Sequence, residues 1–110
     1  MRRLESDYHV HSYRVPTSYT NGHIHWMAGV TGPPVPMGPS HVHYYSTVTT
    51  LDQGHVHCAS GVTGPSIPCP GGGHTHLLTG CTSVDHYHSH YYGSYTGNEE
   101  SSMLFQRRAI

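Results

Sequence analysis

The sequence predicts an all-β fold built from three repeated β-hairpin units, and three observations carry that prediction. A segment recurs: 29–36 reads GVTGPPVP and 61–68 reads GVTGPSIP. The flanking stretches, such as HVHYYSTVT at 41–49 and HVHCASGVT at 55–63, are rich in β-branched and aromatic residues, which favour strands. Thirteen Gly and eight Pro punctuate the 110 residues, and the prolines forbid a helix or a central strand through the connectors. No segment before residue 98 reads as helix.

Aligned outward from the recurring segment, the units begin at His9, His41 and His74, giving a repeat of about 32 residues. In the middle unit 41–49 is a first strand, 50–54 a turn closed by Asp52 and Gly54, 55–63 a second strand, and 64–73 a loop. Antiparallel pairing about residue 52 then sets His41 near Thr63 and His55 near Thr49. The third unit is degenerate at its end, where Tyr95-Thr96-Gly97 replaces Val-Thr-Gly. The expected organisation is a tail at 1–8, the repeat domain at 9–97, and a second tail at 98–110. The units are expected to form a pseudo-threefold, prism-like arrangement, the alternative being a single sheet or a β-solenoid stack.

Histidine placement is the strongest signal. The 13 His form seven His-x-His pairs, where random placement would give roughly 1.5. Each unit holds two pairs fourteen residues apart: His9/His11 with His23/His25, His41/His43 with His55/His57, and His74/His76 with His88/His90. Thr17, Thr49 and Thr82 align between the pairs, and Thr31, Thr63 and Thr96 after them. Only His86 stands outside the scheme, and it reads as an exposed turn residue. Residues i and i+2 of a strand share a face, so each pair presents two imidazoles to one side. The two pairs of one hairpin lie about 20 Å apart, so rings must pool between units. Around a threefold axis, one cluster would hold His9, His11, His41, His43, His74 and His76. The other would hold His23, His25, His55, His57, His88 and His90.

Composition says why such clusters matter. Leu, Ile, Val and Phe number 18, too few for an ordinary core, yet the formal charge of −1 is not that of a disordered chain. Imidazole is the commonest protein metal ligand, and coordination can supply folding free energy that aliphatic packing lacks. Several classes are excluded. There is no Lys and no basic surplus for nucleic acid, no apolar run long enough for a transmembrane helix, and no visible signal peptide. The compartment, cytoplasmic or exported, stays open. Cys58, Cys69 and Cys81 match no zinc-finger spacing and read as small, half-buried side chains.

Two resemblances follow from these residues. Gly22-His23-Ile24-His25 and Gly54-His55-Val56-His57, each followed by Gly-Val-Thr-Gly-Pro, resemble the YmaF family of small bacterial proteins over about 9–97. Tyr87-His88-Ser89-His90 departs from that pattern by losing the Gly. The resemblance implies the repeat and a bacterial source, and carries no established activity. The paired rings also resemble trimeric phage tail-fibre tips, in which His-x-His from three chains holds iron.

The expected function is that of a metal-binding structural protein that coordinates Zn, Cu, Ni or Fe through the twelve paired histidines and self-assembles into a homo-oligomer or filament. Near-zero charge, β edges and the apolar Met103, Leu104, Phe105 and Ile110 motivate the assembly. The alternatives are metal storage or sequestration, and a metal-free structural repeat. A metalloenzyme is the least favoured, because only Asp52 and Asp85 lie within the repeats, both in turns.

Overall fold

The computed structural model describes residues 8–101. Nine strands follow in chain order: β1 (His9–Pro16), β2 (Trp26–Val30), β3 (Pro34–Met37), β4 (Ser40–Val48), β5 (Cys58–Val62), β6 (Ser66–Pro68), β7 (His74–Cys81), β8 (Tyr91–Tyr95) and β9 (Glu99–Ser101). They form three antiparallel three-stranded sheets, ordered β2-β1-β9, β3-β4-β5 and β6-β7-β8. The all-β repeat is thus present, with no closed barrel. Among the described residues there is no helix, hence none long and apolar enough to cross a membrane.

Each sheet has one strand more than the expected hairpin. The connectors are not loops throughout. Pro34–Met37 and Ser66–Pro68 are extended and pair with the starts of β4 and β7. Proline is tolerated there because these are edge strands, whose outward N–H positions face no ladder partner. In the first sheet the same place is filled by Glu99–Ser101, from the segment read as a tail, which pairs with His9–His11. Of the tails expected at 1–8 and 98–110, the second being the expected assembly segment, residues 1–7 and 102–110 lie outside the described residues.

The register also differs, by two residues. Tyr44 faces Val62 and Val48 faces Cys58, which centres the hairpin on residue 53. Consequently His43, not His41, lies opposite Thr63, and His57, not His55, lies opposite Thr49. β5 begins at Cys58, so the second histidine pair precedes the strand. The cause is the turn. Asn21-Gly22, Gln53-Gly54 and His86-Tyr87 all have positive φ, closing tight turns with mutual bonds such as Asp52–His55. A shift of two residues keeps every side chain on its face, so the histidines still point inward.

The three sheets close into a ring. Gly32, Gly64 and Gly97 donate their amides to the Tyr44, Leu77 and Ser12 carbonyls of the next unit, at 2.9 Å each. At the other end Thr50, Ser83 and Ser18 donate theirs to the Trp26, Cys58 and Tyr91 carbonyls of the preceding unit. The third unit bonds back to the first in both sets, which gives the pseudo-threefold arrangement.

The apolar core is small: Tyr13, Val15, Met27, Tyr45, Ala59, Leu78 and Tyr92. Strand alternation places it between the two histidine ends, since His9, His11, Tyr13 and Val15 share one face of β1. Tyr13 and Tyr45 lie opposite Gly29 and Gly61, and a Cβ at Gly29 would come 2.7 Å from the Tyr13 hydroxyl. In the third unit the pair is reversed. Leu78 takes the place of Tyr13, Gly80 faces Tyr92, and the ring volume comes from the other strand. Cys58 and Cys81 are exposed rather than half-buried, because both sit at outward positions, and all three cysteines are free thiols.

Candidate metal centre

All twelve paired histidines turn inward to the ends of the ring. At the upper end, ligating nitrogens of His9, His11, His41, His43, His74 and His76 all lie within 4.8 Å of one another. At the lower end two overlapping quartets have the same reach: His23, His25, His55 and His57, and His23, His57, His88 and His90. Together they make the second expected set of six. Either end can hold a metal ion. His11, His25, His43, His57 and His76 are fully buried, and His90 nearly so.

The backbone fixes which nitrogen faces the centre. Six inner rings place Nδ1 on a carbonyl oxygen of a neighbouring unit. His11, His43 and His76 bond Gly97, Gly32 and Gly64 at 2.8–2.9 Å. His25, His57 and His90 bond Thr50, Ser83 and Ser18 at 2.9 Å. A carbonyl only accepts, so Nδ1 carries the proton and the neutral ring keeps a bare lone pair on Nε2. The outer lower rings are set the same way: His23, His55 and His88 donate Nδ1–H to the carbonyls of Asn21, Gln53 and His86. At the upper end the His74 Nδ1 lies 2.6 Å from the Glu99 carboxylate on the closing strand.

At the lower end the result is a convergence of acceptors without donors. His23 and His25 bring their Nε2 atoms to 3.1 Å, and His88 and His90 to 3.2 Å, with all four Nδ1 protons already committed. Lone pairs so placed repel unless a proton or cation lies between them. The Nε2 atoms of His11, His43, His57 and His76 are buried without a hydrogen-bond partner. Protons are disfavoured as the remedy. Burial, reinforced by the neighbouring rings against the Gly97 carbonyl, takes the His11 imidazole down to about 4. Burial takes His43 down to about 3 in the same way. His57, His76 and His90 are lowered too, again by burial first.

The aligned threonines hold this arrangement together, a role the sequence reading did not assign. Each hydroxyl accepts the amide of one histidine: Thr31, Thr63 and Thr96 serve His11, His43 and His76, and Thr17, Thr49 and Thr82 serve His25, His57 and His90. Each then donates to the next carbonyl in the chain, the one that anchors a histidine of the adjoining unit. The signal was visible, since these were the residues that aligned beside the histidines. Their action through a neighbour's backbone was not.

A family model described as "YmaF: Spore germination protein GerY/YamF" matches residues 6–97. The chain belongs to the YmaF family. Comparisons with curated proteins and with solved structures gave no match. In this YmaF chain the hydroxyl relay is directly testable. Thr31→Val keeps the shape but leaves the buried His11 amide without its acceptor and frees the Gly32 carbonyl that aims His43. Urea unfolding is expected to show a loss of about 1–3 kcal/mol. Isothermal titration is expected to show upper-end metal affinity falling about 10–100-fold.

Proposed function

We propose that this YmaF protein is a structural protein in which metal ions replace a large hydrophobic core, each end of the ring holding one divalent ion among six imidazoles. The observation that carries this reading is the lower set of six rings, every one with its Nδ1 proton given to a carbonyl and its Nε2 lone pair left for the cage, where two overlapping quartets converge. Distances agree with six-coordination. In the upper triangle the Nε2 atoms of His9, His41 and His74 are 3.1–3.2 Å apart. An octahedron with 3.1 Å edges has its centre 3.1/√2, about 2.2 Å, from each corner, slightly beyond a tetrahedral zinc–nitrogen bond. Zinc prefers four ligands and Cu(II) a tetragonal set, so nickel or ferrous iron fits best. Six imidazoles leave no open position for a substrate, which supports a structural over a catalytic role. Deep burial of the inner rings favours it over exchangeable storage.

Self-association is the second part of the proposal. The outer sheet faces carry exposed cross-strand pairs, Tyr44 with Val62 and Leu77 with Tyr95, on a chain of formal charge −1. Such faces suit burial against further copies. The family description supplies the setting, a component that acts in spore germination. Metal analysis of protein purified without an affinity tag is expected to give two ions per chain, and X-ray absorption a shell of six nitrogens. Light scattering is expected to show species larger than one chain. Fewer than one ion per chain after metal resupply overturns the metal reading, and a strictly monomeric protein overturns the assembly.

A further inference from the structure

His86 is the one histidine that the two cages do not use. It sits in the third lower turn, where the first and second turns have Asn21 and Gln53. Those turns put glycine at the next position, Gly22 and Gly54, to take the left-handed backbone. The third has His86 at φ 54° and Tyr87 at φ 68°, two side-chain-bearing residues in succession where L-residues are strained. Strain kept in this way points to a use for the side chain.

Its surroundings indicate that use. The His86 ring is exposed and stacks on the cage ring of His55, with centroids 4.5 Å apart and planes 23° apart. Its carbonyl holds the Nδ1 of His88 at 3.0 Å. His88 is half-buried, whereas His23 and His55, the corresponding rings at the other two corners, are 8% and 7% exposed. The lower cage is therefore most open at the corner where His86 stands. Asp85, 43% exposed, adds a carboxylate there, 3.5 Å from the Nδ1 of His57. A hydrated cation reaching the cage from solvent meets a carboxylate and an exposed imidazole first.

We propose that His86 is the capture ligand of the lower cage, binding a hydrated divalent cation at the open corner and passing it to His88 and His55. Each metal–nitrogen bond formed replaces one metal–water bond, and the neutral ring releases no proton. Capture lowers the barrier in both directions, so it changes rates without changing final affinity. This inference rests on the metal reading above.

Cobalt(II) uptake by the metal-free full-length chain tests it. Trp26, the single tryptophan, adjoins His25 in sequence, so quenching of its emission by cobalt reports the lower cage. H86N and H86G both remove the imidazole and both suit a left-handed turn. The expected result is quenching about tenfold slower in each variant, with release slowed equally. The final cobalt content should match the unsubstituted protein, and the thermal midpoint should be no lower, since both substitutions relieve the backbone strain. Unchanged quenching rates, or a lower final cobalt content at the same rate, overturn the capture role. If the unsubstituted protein takes up no cobalt at all, the metal reading itself fails, and the two failures are told apart by that control.

Discussion

Stripping divalent metal from the folded protein with a strong chelator is expected to lower its thermal midpoint by tens of degrees. The twelve cage histidines fill the ends of the ring, and among the described residues the apolar cluster between them has seven members. A ligand that binds the folded state alone stabilises it by about 4 kcal/mol when present at a thousandfold its Kd. Two such sites contribute about 8 kcal/mol, and each kcal/mol moves the midpoint of a domain this size by about 4–8 °C. The loss has a second cause. Without an ion the buried Nε2 atoms of His11, His43 and His76 at the upper end, and of His55 and His57 at the lower, have no partner, and each such group costs about 1–3 kcal/mol. Calorimetry with and without chelator, with metal content measured on the same samples, reads both. An identical midpoint in the two states removes the structural role.

The metal-free protein is expected to lose stability steeply as pH falls below about 6.5. The sign follows from the direction of the shifts. An unfolded histidine takes its proton near 6.5, but folded His11 refuses it until about 4 and His43 until about 3. Between those values the unfolded chain binds more protons than the folded one, so acid favours unfolding. Each excess proton costs about 1.4 kcal/mol per pH unit. His57, His76 and His90, lowered by the same burial, steepen the fall. Stability contributed by these rings is whole above pH 6.5 and gone once the folded groups titrate. Urea midpoints at pH 7.5, 6, 5 and 4 measure it, and a flat profile contradicts the inward-facing rings. The loaded protein should hold to lower pH and then collapse with metal release, because protons and metal compete for the same lone pairs.

Much of this was legible from the chain because the histidines alternate. A pair at i and i+2 must share a face, and three such pairs per end must meet if the units go round an axis. What the sequence did not reveal depends on partners far along the chain. Pro34–Met37 reads as a connector because prolines exclude a central strand, yet an edge strand accepts them. Glu99–Ser101 bears no likeness to the linkers it replaces, and only the open edge of β1 gives it a place. The register slipped by two because Gln53 adopts a left-handed turn usually left to Asn or Gly. Leu78 and Tyr92 hid the third copy of the core because volume moved from one strand to its neighbour.

The shared carbonyls have a consequence for how the molecule comes apart. Upper rings are aimed by the preceding unit, through Gly97, Gly32 and Gly64, and lower rings by the following one, through Thr50, Ser83 and Ser18. Every unit is therefore steered from both sides, in opposite senses at its two ends. No unit can fray while the other two keep their grip, as a solenoid allows. Like the stones of an arch, the three stand or fall in one event.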